Sequence, residues 1–156
     1  MSLQSRGSQA IDRAVRKSIE TGLPYVVSAG NQGGDACRNS PSRVREAITV
    51  GATNAGDQRA PFSNDGACVD LFAPGAGIES AWNTGDEASE LMSGTSMASP
   101  HVAGAVALLL AAHPRATPAQ LASLLLDQST PGVVTDAGET TPNRLLYVKD
   151  ELSDLT

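Results

Sequence analysis

The 156 residues carry a formal charge of −6; 40% are apolar, only 3% are aromatic, and 15 are glycine. That is enough apolar material for one domain, with a core built on small side chains rather than on rings. The acidic balance and the lack of a Lys/Arg cluster exclude nucleic acid as a partner, and the longest apolar run, 102–112, is too short to span a membrane.

Met1-Ser2-Leu3 reads as the frayed end of a strand, and residues 1–20 contain no apolar stretch of the signal-peptide kind. Residues 8–21 put Ile11, Ala14, Val15 and Ile19 on one face and Asp12, Arg13, Arg16, Lys17 and Glu20 on the other, which predicts an amphipathic helix. Gly22 stops it and Pro24 forbids its continuation. Residues 24–29 read as a short buried strand ending in the breaker-rich loop Gly30-Asn31-Gln32-Gly33-Gly34. Further short strands are expected at 47–51, 69–72 and 78–82, with a turn at 73–77 and a polar loop at 83–90.

A helix follows over 95–112, with Pro100 tolerated because it lies in the first turn. His113-Pro114 ends it, and the His113 imidazole is expected to satisfy the terminal carbonyls. Thr117-Pro118-Ala119-Gln120 combines a threonine cap, proline at the first helical position and a capping-box glutamine, so a second helix runs from there to about 127. The remainder is loop-like apart from a strand expected at 144–148. Short buried strands between helices predict an α/β layered domain with a largely parallel sheet.

Three features carry chemistry. Ser96 follows Gly94-Thr95 at a helix start, where free N–H groups and the helix dipole favour a developing negative charge. By residue type alone it is either a capping serine or a nucleophile, and Asn31 is either a turn residue or a neutral hydrogen-bond donor. Cys37 and Cys68 are either two buried thiols or one disulfide. Asp70, between Val69 and Leu71, is either a strand-end surface carboxylate or a buried one that needs a partner or a metal. Asp35 and Asp65 read as ordinary loop residues.

The string Gly94-Thr95-Ser96-Met97-Ala98-Ser99-Pro100-His101-Val102-Ala103-Gly104 closely resembles the nucleophile motif of the subtilisin-like serine proteases. Ser28-Ala29-Gly30-Asn31, Pro61-Phe62-Ser63-Asn64-Asp65-Gly66, Asp70-Leu71-Phe72-Ala73-Pro74-Gly75 and Thr141-Pro142-Asn143-Arg144-Leu145-Leu146-Tyr147 extend the resemblance over nearly the whole chain. Together they are most similar to the proteinase K branch and its bacterial aqualysin-type enzymes. The resemblance implies a serine endopeptidase acting on protein or peptide substrates from a secreted, oxidising setting. The fold it implies is a partial subtilisin-like three-layer sandwich with a mostly parallel sheet and the N-terminal half missing. Residues 1–148 would be the C-terminal portion of that domain and 149–156 a tail.

By this resemblance Ser96 is the nucleophile, Asn31 the oxyanion donor, and Leu3, Ala29 and Gly30 line the substrate groove. Cys37 and Cys68 form a disulfide. A structural calcium is held by the Asp70 carboxylate and the carbonyls of Arg45 and Ala47; catalysis itself needs no cofactor. The family carries glycines after the leucine that matches Leu3, and Gln4-Ser5 depart from that pattern at the wall of the specificity pocket. The family's Asp and His precede its serine in the chain, and no matching Asp-Thr-Gly or His-Gly-Thr occurs here. His101, five residues after Ser96 on one helix, is turned roughly 140° away from it and is not the base. The chain by itself is therefore expected to be inactive, with the Asp/His half as its missing partner. Two other readings stand beside this one: a non-catalytic scaffold remnant of a protease, and one half of a split enzyme.

Overall fold

The computed structural model of the protein describes residues 1–149. In chain order the elements are β1 (Ser5–Arg6), α1 (Gln9–Glu20), β2 (Val26–Ser28), a 3₁₀ turn (Ala36–Arg38), β3 (Asn39–Ser40), β4 (Ile48–Thr53) and β5 (Leu71–Pro74). They continue with β6 (Ile78–Ala81), β7 (Ser89–Met92), α2 (Thr95–Ala112), α3 (Pro118–Gln128), β8 (Thr130–Pro131) and β9 (Arg144–Leu145). The expected tail, 149–156, lies outside the described residues beyond Lys149.

The central sheet has the order β2-β4-β5-β9-β8. β2, β4, β5 and β9 run parallel, and β8 returns antiparallel to β9. Short apolar strands such as Val26-Val27 and Leu71-Phe72 suit this layout, because a parallel sheet is covered on both faces. Val26 packs with Val50, Ala52, Val102, Leu109, Leu121 and Leu125 beneath α2 and α3, whereas Val27 packs with Val15, Val44 and Ala47 beneath α1. Neighbouring residues of one strand therefore serve opposite layers, as the pleat requires. The expected α/β layering and mostly parallel sheet are what the structure shows.

α2 is long and apolar enough, by length and composition alone, to cross a membrane, with a mean hydropathy of 1.4. Its Ala98, Val102, Ala105, Val106 and Leu109 are buried in the main core, which makes it a core helix on that side. Its other side leaves Leu108 and Leu110 exposed. α3 starts on the predicted capping box, with both Thr117–Gln120 hydrogen bonds formed.

Four expectations are corrected. Residues 83–90 are not all loop: Ser89 and Glu90 open β7, which pairs antiparallel with β6. All four β7 residues are exposed, so no burial alternation marked them in the sequence. Asp12, placed on the solvent face of α1, is only 8% exposed, because Arg43 Nε donates to its Oδ2 at 2.7 Å. The backbone N–H of His113, rather than its ring, closes α2 on the Leu109 carbonyl at 2.8 Å. Asp35 and Asp65 do more than fill loops: the Asp35 carboxylate caps the 3₁₀ turn, accepting from Cys37 N–H, and Asp65 pairs with Arg59 at 3.7 Å. The ladder of β1 with β3 was not anticipated, since two-residue strands carry no periodicity.

Candidate active site

β2 ends at Ser28, and the chain turns at Ala29 and Gly30 toward Asn31. Gly30 has φ +106, a left-handed conformation that L side chains resist. A Cβ there would also stand 2.2 Å from Gln4 Oε1 and 2.4 Å from Asn64 Nδ2, so glycine is required twice over. α2 begins opposite, at Thr95, after the extended Gly94.

Thr95 knits the two segments together. Its hydroxyl accepts from Gly30 N–H at 3.0 Å and donates to Asn31 Oδ1 at 2.9 Å. Its backbone N–H donates to the same Oδ1 at 2.9 Å. With the Asn31 carboxamide oxygen bound on that side, its Nδ2 is turned to the space over Gly94. A Cβ built on Gly94 would lie 3.4 Å from Asn31 Nδ2 and 3.7 Å from Ser96 N, so both donors border one small space. Ser96 is half-buried, and its Oγ donates to the Ser2 carbonyl at 3.3 Å. The Ser2 hydroxyl donates back to the Ser96 carbonyl at 2.9 Å, which straps the first residues of the chain to the start of α2.

Asn64 is a member of the site that residue type alone did not single out. It is 1% exposed, and its side chain makes four hydrogen bonds. Its Oδ1 accepts from Gln32 N–H and Gly34 N–H, both at 3.0 Å. Its Nδ2 donates to the Ala29 carbonyl at 2.9 Å and to Gln32 Oε1 at 3.2 Å. The Asn31 loop is thereby wrapped around one buried amide. The signal in the sequence was a polar residue set among the small residues of 60–66, which periodicity does not weigh.

The remaining predicted residues fall as follows. Leu3 is 69% exposed, whereas Ala29 and Gly30 are buried and present only backbone. Cys37 and Cys68 are joined in a disulfide, with Cα atoms 5.3 Å apart. His101 is exposed on α2, its Nδ1 at 2.8 Å from the Met97 carbonyl, one turn back. Neither it nor His113 is tied to Ser96.

Asp70 is mostly buried, and its Oδ2 accepts from Thr49 N–H at 2.7 Å. Burial pushes its carboxyl up to about 6, against the opposing pull of that hydrogen bond. It borders a cavity of about 610 Å³ together with Arg45, Glu46 and Ala47 and the first turn of α3. Arg43 is engaged by Asp12 and Arg16 by Glu46, so neither neutralises Asp70. No group of three or more His, Cys, Asp or Glu gathers among the described residues. A cation here would rest on one carboxylate and backbone carbonyls, a hard oxygen set that fits calcium.

A layered sheet, a serine at the N-terminus of its central helix and an amide donor on the facing loop together set two N–H donors around one space, an arrangement suited to hold a developing oxyanion. The chain belongs to the subtilase family, whose model matches residues 1–146. It is 56% identical over 147 residues to an extracellular serine proteinase of Thermus sp. (strain Rt41A), covering 94% of this chain and 36% of that protein. It is 45% identical to alkaline serine exoprotease A of Vibrio alginolyticus, covering 94% of this chain and 27% of that protein. Among solved structures, a cold-adapted subtilisin-like serine proteinase superposes with a TM-score of 0.92 at 46% identity, over 97% of this chain and 54% of the other. The chain thus spans about a third of those curated relatives and half of that solved structure.

Proposed function

We propose that this chain is the nucleophile-bearing portion of a secreted subtilisin-like serine endopeptidase. Ser96 Oγ attacks the carbonyl carbon of a peptide bond, and its proton passes to a histidine base. The carbonyl oxygen, now negative, sits between Asn31 Nδ2 and Ser96 N–H. The C–N bond then breaks, the amine leaves with the proton from that base, and water hydrolyses the acyl ester on Ser96. Leu3 and the backbone at Ala29 and Gly30 border the groove that holds the substrate chain. The observation that carries this reading is the Thr95 clamp on Asn31 Oδ1, which turns Nδ2 to the same space as Ser96 N.

The base and its aspartate lie outside these 156 residues, whose two histidines are placed elsewhere. The exposed Leu108 and Leu110 of α2 offer the segment carrying them an apolar docking face. The Cys37–Cys68 disulfide agrees with an oxidising compartment. Asp70, with the carbonyls of Arg45 and Ala47, holds a calcium ion that supplies structural charge compensation and takes no part in bond breaking.

A fluorophosphonate probe tests the nucleophile. In a polypeptide that adds an Asp/His-bearing segment, Ser96 is labelled and Ser96→Ala abolishes the signal; labelling that survives the substitution sinks the assignment. Residues 1–156 alone stay at background, and robust labelling of them would show that the base lies within this chain.

A further inference from the structure

The segment from Phe62 to Asp65 is the template on which the Asn31 loop lies. Gly33 N–H donates to the Phe62 carbonyl, Asn64 N–H to the Gly30 carbonyl, Asp65 N–H to the Gly34 carbonyl and Ala36 N–H to the Asp65 carbonyl, at 2.9 to 3.0 Å. The Asn64 side chain adds its own bonds to the same loop. Ser63 Oγ ties one side of the template to β4, accepting from Ala52 N–H at 2.9 Å. The other side is held by Arg59. Its Nη1 donates to the Ser63 carbonyl at 2.9 Å and stands 3.7 Å from the Asp65 carboxylate. Its Nε donates to the Asp136 carbonyl at 2.6 Å, and its Nη2 to Asp136 Oδ2 at 3.3 Å. One guanidinium thus joins the template to a part of the chain 77 residues on. The Arg59 side chain is only 13% exposed, and its backbone is fixed as well, bridging to Thr53 and donating to the Thr135 carbonyl at 3.0 Å. The planar fork aims its donors in set directions, which a lysine ammonium does not reproduce. These hydrogen bonds reach neither Ser96 nor Asn31, so Arg59 acts on the site through the template.

We propose that Arg59, locked by Asp136, is a positioning residue for the oxyanion donor: by fixing residues 62–65 it sets where Asn31 Nδ2 stands relative to Ser96 N–H. The inference rests on the reading of Asn31 as that donor. A donor of this kind acts on charge that develops only in the transition state. Displacing it by a fraction of an ångström therefore slows bond breaking and leaves the binding of the substrate as it was. A role in stability alone does the opposite, lowering the amount of folded protein and leaving the turnover of each folded site unchanged.

A double-mutant cycle tests this in the polypeptide that adds an Asp/His-bearing segment. Hydrolysis of succinyl-Ala-Ala-Ala p-nitroanilide gives kcat and KM, with kcat counted per site titrated by the fluorophosphonate probe. Asn31→Ala should lower kcat about a hundredfold, as loss of one oxyanion donor does. Arg59→Gln should lower kcat about tenfold with KM unchanged, and Arg59→Lys, which keeps the charge beside Ser63 and Asp65, should recover part of that loss. In the Asn31→Ala background, Arg59→Gln should cost nothing further. Losses that multiply, or a kcat that Arg59→Gln leaves intact, overturn the proposal while the oxyanion reading stands. An intact kcat in Asn31→Ala overturns the oxyanion reading itself. Should Arg59→Gln not fold, Arg59→Lys and Asp136→Ala complete the same cycle, the Asp136 side chain being 68% exposed. Independently of turnover, the Asn31 side-chain amide signals in the NMR spectrum of residues 1–156 should shift in Arg59→Lys; signals that stay in place overturn the positioning role.

Discussion

Ser96 and Asn31 are conspicuous by type and neighbours, whereas the residues that aim them are not. Thr95 aims Asn31 with one hydroxyl and one backbone N–H, and Asn64 holds the loop behind it with four bonds. Buried amides of this kind are costly to truncate, because their partners stay buried and unpaired. Asn64→Ala should leave Gln32 N–H, Gly34 N–H and the Ala29 carbonyl without their partner. A loss of about 3 kcal/mol in urea unfolding is expected, with an unchanged result ruling out the hub role. Gly30→Ala should be as damaging for a different reason: its φ is +106, and a Cβ would stand 2.4 Å from the Nδ2 of the buried Asn64. No single-residue property marks these positions, since their importance lies in contacts made across 30 to 65 residues of chain.

Among the elements, those with strong local signals were legible. α1 and α3 announce themselves by apolar spacing and caps, and both ends of α3 lie within a residue of expectation. The cap has a measurable consequence. Thr117→Ala removes one hydrogen bond to Gln120 N–H and breaks the reciprocal box, so a loss of about 1 kcal/mol is expected in thermal unfolding. A change of a few tenths would mean that tertiary packing of Leu121 and Leu125 alone holds the helix. Elements formed by exposed or very short ladders were illegible. β7 exposes every residue, and β1 and β3 are two residues long, so neither offers a period to read.

Over the whole molecule, the disulfide and Asp70 tie together distant parts of the chain. The disulfide closes a separation of 31 residues, and its removal by Cys37→Ser with Cys68→Ser should lower stability by roughly 3 kcal/mol. Equal stability of the oxidised and doubly substituted proteins would exclude that contribution. Asp70 makes a pH-dependent contribution of opposite sign to an ordinary paired carboxylate. Burial raises its folded carboxyl to about 6, above the ordinary aspartate value of 3.8, so in calcium-free buffer the stability it allows is complete below about pH 4 and is lost as pH rises through 6. Added calcium should restore stability above pH 6, and Asp70→Asn should abolish both the slope and the calcium response. A calcium response that survives Asp70→Asn would place the ion elsewhere. By itself, the sequence determined the α/β class, the family, the helix that carries Ser96 and the cysteine positions, because these rest on local spacing and on unbroken motifs. Only the tertiary structure decided which side of Asn31 faces Ser96, that Asn64 anchors the loop, and that Gln4 and Gln32 close over Gly30. Those are relations between segments that meet only when the sheet brings β2 and the start of α2 together.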